Sequence, residues 1–224
     1  MEIKTKMNVD LLRGLSRKRT KKVVLLFSGG IDSLAVGLLL QKKGYKIYPL
    51  FINYGQSANA AEEYLAKTIP PKASFENCKI ITTTLVKDLT KSSLLGSHSQ
   101  DDNDAWVPGR NSLFMVIAGI YAQQINADGI AIGYMQDDNF VFGDNDYFHH
   151  KSIEDLLSKS FLRPLKVFMP AKAKTKLDLI KILKKENLLS STTSCWNAKL
   201  VNHKLVECHL CANCLEKQSF IDKL

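Results

Sequence analysis

The segment "KVVLLF" (22–27) is apolar at every position after its lysine. A strand with one face in water would alternate; a run this continuous belongs to a strand buried on both faces, as in a parallel sheet covered by helices. The chain goes on in the same manner. Helical spacing over 33–43 ends at Gly44, a strand reads from 46 to 55, and a helix over 58–69 is expected to stop at Pro70-Pro71. Further strands are expected at 79–86, 129–134 and 165–170, with helices at 112–125, 151–161 and 175–188. The polar stretches 94–111 and 136–150 read as loops. Strands alternating with helices call for parallel pairing and crossover helices, an α/β fold in three layers. Ligands of such sheets bind at the carboxyl ends of the strands. The loops 28–32, 53–57 and 133–147 therefore share one rim, which "VPGRN" (107–111) can also reach.

Three regions follow: a polar N-terminal extension (1–21), an α/β domain (22–190) and a cysteine-rich C-terminal segment (191–224). The formal net charge of +9 suits solubility, and equally a polyanionic ligand such as ATP or a nucleic acid. No aromatic pattern for base stacking interleaves with the basic residues. No apolar run reaches the roughly 18 residues of a membrane span. Nor does a signal-peptide stretch follow Lys4, Lys6 and Arg13. A cytoplasmic protein without membrane contact is expected.

The sharpest local feature is "FSGGIDS" (27–33), between the first strand and the first helix. Two glycines allow a tight turn, after which the helix N-terminus offers free N–H groups and a dipole that favours an anion. The loop has neither the Gly-Lys-Ser/Thr ending of a Walker A motif nor a G-x-G-x-x-G pattern. Ser28, Asp32 and Ser33 would also serve as simple helix caps.

Cys195, Cys208, Cys211 and Cys214 crowd the tail at spacing C-x12-C-x2-C-x2-C, while Cys78 stands apart as an inert, half-buried thiol. Clustered thiolates in a cytosolic chain favour a metal over disulfides. By ligand type alone a tetrahedral Zn²⁺ and an iron–sulfur cluster are both open.

"SGGIDS" resembles the S-G-G-x-D-S loop of the PP-loop ATP pyrophosphatases, which split ATP into AMP and pyrophosphate. Taken with "NYGQ" (53–56), "VPGRN", "IAIGY" (130–134), "KAKTK" (172–176) and the cysteines after "TTSC" (192–195), the chain resembles the 7-cyano-7-deazaguanine synthases over about residues 22–220. That resemblance implies an ATP-dependent ligase of queuosine biosynthesis. Such an enzyme adenylates 7-carboxy-7-deazaguanine and uses ammonia and ATP to make the nitrile. It implies ATP binding by Phe27, Ser28, Gly29, Gly30, Asp32, Ser33 and Arg110, with Mg²⁺ bridging Asp32 and the phosphates. Catalytic roles fall to Asp32, Arg110 and Lys174, with Lys176 a further candidate for the phosphates. The deazaguanine would meet Tyr54, Gln56, Asn111, Gly133, Asp137 and Asp144, the carboxylates accepting from a guanine-like edge. The four tail cysteines would hold a structural zinc, and family members are often homodimers.

The match breaks in two places. The family continues "YGQ" with Arg-His, where this chain has Ser57-Ala58. The family's Gly-Tyr-Pro-Asp-Cys-Arg stretch is replaced here by "MQDDNFVFGDNDYFHH" (135–150). A changed acceptor, such as an amine on a protein or nucleic acid, would keep activation and stop at the amide. Two other classes compete. A zinc module gripping nucleic acid would not need the "SGGIDS" loop. A tRNA thiolase of the same superfamily would use reactive cysteines rather than a ligand cluster.

Overall fold

The computed structural model describes residues 19–95, 106–135 and 143–223 of the chain. The main strands are β1 (Lys21–Leu26), β2 (Tyr45–Asn53), β3 (Lys79–Thr82), β4 (Gly129–Ala131) and β5 (Lys166–Phe168). They form one parallel sheet in the order β3-β2-β1-β4-β5. Val23 of β1 sits in register with Ile47 of β2 on one side and Gly129 of β4 on the other. The chain thus winds outward through β2 and β3, then returns past β1 to build the second half. That reversal opens a crevice at the carboxyl ends of β1 and β4.

The helices are α1 (Ile31–Lys42), α2 (Asn59–Lys72), α3 (Leu85–Leu89), α4 (Arg110–Gln124), α5 (Tyr147–Ser160), α6 (Lys176–Lys185) and α7 (Ala212–Ile221). Strand alternation sorts the apolar side chains into two layers. Leu25, Ile47 and Phe51 pack with Leu34 of α1, Leu65 of α2 and Leu179 of α6. Val24, Leu50 and Ile130 pack with Met115 of α4 and Leu157 of α5 on the opposite face. Leu34 and Leu179 are wholly enclosed, and such a side chain contributes about 1.5–3 kcal/mol by leaving water. No helix among the described residues is long and apolar enough to cross a membrane.

Several boundaries differ from the sequence expectation. Helix α2 does not stop at Pro70-Pro71 but runs to Lys72. The prolines remove two intrahelical donors, yet Ala73 N–H still reaches Ile69 O at 3.0 Å and Phe75 N–H reaches Pro70 O at 2.9 Å. Strand β3 ends at Thr82 rather than 86, because Leu85 N–H turns back to Thr83 Oγ1 and opens α3. Arg110 and Asn111 are the first residues of α4, not loop, and α5 starts at Tyr147 with Asp146 as its cap. Strand β4 stops at Ala131 because β5 offers only three residues to pair.

The tail folds into a hairpin, β6 (Lys199–Val201) and β7 (Lys204–Val206), followed by α7. Asn202 and His203 make the turn, both at positive φ as a two-residue hairpin favours. The hairpin rests on α2 and α7 on α6, so the tail closes over one helical layer beside the crevice.

Candidate functional site

The crevice is a cavity of about 390 Å³, within the range of small-molecule sites. One wall is the turn from β1 into α1. Gly29 takes φ +79°, and a Cβ there would lie 2.4 Å from Leu65 Cβ, so only glycine lets the loop close on α2. Gly30 is the N-cap of α1, and no side chain caps that helix. Ser28 Oγ instead accepts from Gly30 N–H at 3.3 Å, and Ser33 Oγ donates to Gly30 O at 3.1 Å. The loop's side chains shape the turn and leave the helix N–H groups facing the cavity, as an anion site requires. Gly133, after β4, lies against this loop: a Cβ there would stand 3.1 Å from Asp32 Cβ.

Asp32, in the first turn of α1, accepts from Lys176 Nζ with both oxygens at 2.8 Å. Lys176 is held at the first turn of α6 by a capping box in which Thr175 and Asp178 satisfy each other's N–H. The pair joins the N-termini of α1 and α6 beside the β1–α1 turn.

The opposite wall is a polar network. Arg110 Nη1 donates to Tyr54 Oη at 3.1 Å, with its guanidinium 5.8 Å from the ring centre. Gln56 is enclosed: its Oε1 accepts from Tyr54 N–H at 2.9 Å and its Nε2 donates to Glu62 Oε2 at 2.7 Å. Burial pushes the Glu62 carboxyl up, against the pull of Gln56 and the Arg110 charge. Burial likewise pushes the Tyr54 phenol up, opposed by Arg110.

Asp144 Oδ2 accepts from Asn111 N–H at 3.2 Å, which ties the segment before α5 to the start of α4. Behind it Ser112 Oγ lies 2.8 Å from His149 Nε2. His150 lines the cavity, packs edge-on to Tyr134, and is held down to about 4 by burial and by neighbouring His149.

The tail supplies the remaining wall through Thr193, Ser194, Trp196 and Asn213. Thr193 Oγ1 donates to Glu207 at 2.6 Å, and Lys217 donates to the same oxygen at 2.9 Å. Beneath, the sulfurs of Cys195, Cys208, Cys211 and Cys214 all lie within 4.8 Å of one another. A tetrahedral ion bonded at about 2.3 Å places its sulfurs about 3.8 Å apart. The Cys195–Cys208 and Cys208–Cys214 separations are 3.5 and 4.0 Å, so one ion fits. An iron–sulfur cluster would need room for several irons and sulfides between the thiolates. Burial alone would raise the Cys208 thiol, but N–H groups of Leu210 and Cys211 point at its sulfur and bring it to about 6. Cys78 is half-buried and raised to about 12 by burial, an unreactive thiol.

The cavity thus gathers most of the residues singled out in the sequence: Phe27, Ser28, Gly30, Asp32 and Ser33 on one wall, and Tyr54, Gln56, Arg110, Asn111 and Gly133 on the others. Gly29 lies behind the loop against Leu65. Neither Lys174, which is half-buried, nor Lys176 lines the cavity, but Lys176 makes the contact to Asp32. Asp144 braces Asn111 rather than lining the wall, and Asp137 lies outside the described residues. Glu62, His150 and Trp196 were missed. The Thr175-x-x-Asp178 capping box was a readable signal for placing Lys176 at a helix start.

A family model described as "Queuosine biosynthesis protein QueC" matches residues 22–223. A 7-cyano-7-deazaguanine synthase of Methanocaldococcus jannaschii is 28% identical over 218 residues, covering 88% of this chain and 93% of the relative. The 7-cyano-7-deazaguanine synthase 1 of Desulfitobacterium hafniense is 30% identical over 209 residues, covering 89% and 91%. Among solved structures, the U34-tRNA thiolase NcsA from Methanococcus maripaludis with its [4Fe-4S] cluster gives a TM-score of 0.51 at 17% identity, over 92% of this chain and 67% of that one. A 4-thiouridine synthetase in complex with RNA and ATP gives 0.50 at 15% identity, over 91% and 50%. At those identities the structural likeness speaks for the fold alone. The family match runs unbroken from the glycine loop to the four cysteines, and the chain belongs to the QueC family of queuosine biosynthesis proteins.

Proposed function

We propose that this protein is a cytoplasmic 7-cyano-7-deazaguanine synthase, which converts 7-carboxy-7-deazaguanine, ammonia and ATP into the nitrile. The observation that carries the reading is the Asp32–Lys176 pair at the uncapped start of α1, with Asp32 lining a cavity that Arg110 also lines. The α1 N–H groups and Lys176 are the groups for the phosphates, as charge stabilisation in such transfers requires. A carboxylate oxygen of the substrate attacks the α-phosphorus and pyrophosphate leaves. Arg110, fixed by Tyr54, is the fork for the anionic acyl phosphate. Ammonia then displaces AMP to give the amide. A second ATP activates the amide oxygen, whose departure leaves the nitrile. Gln56 and Asn111, with Gly133 at the loop, form the side for the heterocycle, and Asp144 braces Asn111.

The four cysteines would hold a structural zinc, which would fix the Thr193–Trp196 wall. Asp32 is a single carboxylate shared with an ammonium, so it makes no magnesium site alone; Mg²⁺ belongs with the nucleotide's phosphates.

One observation favours a second reading. Ser57 is tied to Leu94 O and Ala58 is buried beside the cysteines, where the resemblance leads one to expect Arg-His. With those cations gone, the acceptor that follows adenylation is open to change, and an amide-forming ligase acting on a macromolecular amine would use the same activation. Mass spectrometry of products from ATP, Mg²⁺, ammonia and 7-carboxy-7-deazaguanine decides between them. The nitrile with AMP and pyrophosphate supports the synthase; an adenylate or amide as the end product supports the second reading. No ATP turnover with this acid contradicts both.

A further inference from the structure

Adenylation leaves an electrophilic carbonyl, but ammonia at neutral pH is almost wholly ammonium, and the nitrogen must lose protons to form an amide. Some group at the cavity must accept one. Asp32 is neutralised by Lys176, and Arg110 is permanently charged. Glu62, on the first turns of α2, lines the same cavity. Gln56 fixes one of its oxygens at 2.7 Å and is itself locked by Tyr54 N–H. The other oxygen makes no hydrogen bond among the described residues, which leaves it for a ligand.

We infer that Glu62 is the general base that takes the proton from the attacking amine as it displaces AMP, an assignment that rests on the adenylating reading above. The nitrogen lone pair forms the bond to the acyl carbon, the carbon–oxygen bond to the phosphate breaks with its electrons on AMP, and the nitrogen's proton passes to Glu62. Burial raises the carboxyl, which brings its basicity closer to the working pH. The Gln56 hydrogen bond and the Arg110 charge oppose that rise. Gln56 is a positioning residue in this scheme, holding the carboxylate toward the cavity rather than touching the amine.

The test is Glu62→Gln, which keeps the side-chain shape and can still bond Gln56, assayed at two stages. Acid-dependent exchange of pyrophosphate into ATP, without ammonia, reports adenylation. Product formation with ammonia or with hydroxylamine, whose adduct nitrogen is far more acidic and sheds its proton to water without a base, reports the second stage. The expected result is near-normal exchange, an ammonia reaction slowed by about 100-fold or more, and a hydroxylamine reaction close to that of the unsubstituted protein. Equal losses with both amines, undiminished use of ammonia, or loss of exchange itself would each overturn the assignment. Glu62→Asp, with the carboxylate withdrawn, should retain part of the ammonia rate; a rate no better than Glu62→Gln would also count against a base. No exchange in the unsubstituted protein would overturn the function on which this rests, and the assignment with it.

Discussion

Lys176 Nζ stands 2.8 Å from both carboxylate oxygens of Asp32, so residues 144 positions apart tie the start of α6 to the start of α1. Lys176 is mostly enclosed. On the proposed function, its replacement would leave Asp32 facing the nucleotide's phosphates without this cation. Lys176→Met should slow acid-dependent pyrophosphate release by about 100-fold, the scale of losing one charge-stabilising group. Lys174→Met, which leaves the Lys176–Asp32 pair intact, should leave most of the rate. Steady-state pyrophosphate assays on the two variants check this.

The loop at Gly29 is built for glycine twice over, by its positive φ and by the 2.4 Å approach to Leu65. Gly29→Ala should cost about 1–3 kcal/mol in denaturant unfolding, with ATP-dependent activity falling further than stability. Adding Leu65→Ala relieves the contact but not the backbone strain, so the double variant should not regain full activity.

Four sulfurs within 4.8 Å of one another, next to wall residues Thr193 and Trp196, would link a metal held there to the shape of the cavity. The purified protein should carry one zinc per chain by elemental analysis. Cys208→Ser or chelation should lower Tm by several degrees or more and weaken substrate binding, since ligation free energy is folding free energy. Cys78 should stay unalkylated in the metal-loaded protein at mildly alkaline pH, because burial holds its thiol at about 12.

His150 is 1% exposed, its Nδ1 has no hydrogen-bond partner among the described residues, and burial and His149 lower it from 6.5 to about 4, while Asp146 and Asp144 oppose that shift. Above pH 6.5 the ring is neutral in the folded and unfolded chains alike. Between about 6.5 and 4 the unfolded chain takes up a proton that the folded one refuses, so stability falls as pH drops through that window, by up to about 3 kcal/mol. His150→Phe keeps a ring against Tyr134 and should flatten this slope in denaturant melts recorded from pH 7 to pH 4.

The parallel sheet was legible because "KVVLLF" and its successors are apolar without alternation, and the tight turn into α1 because Gly29 and Gly30 interrupt such a run before a helix. The cysteine spacing likewise pointed to a metal. What stayed hidden was long-range. Glu62 reads as one more charge on an amphipathic helix, and only the fold brings Gln56 against it and Arg110 across from it. Lys174 and Lys176 are alike in sequence; the Thr175 cap decides which of them begins α6 and meets Asp32. The Pro70-Pro71 stop failed because the two prolines fall in the last turn, where the following N–H groups at Ala73 and Phe75 close the helix without them.

The most direct measurement of the central claim is exchange of labelled pyrophosphate into ATP with 7-carboxy-7-deazaguanine present and ammonia absent. Exchange should depend on the acid and drop by about 100-fold or more in Lys176→Met, which removes the cation beside the loop. Exchange that ignores the acid, or that survives intact in Lys176→Met, would contradict adenylation at this loop.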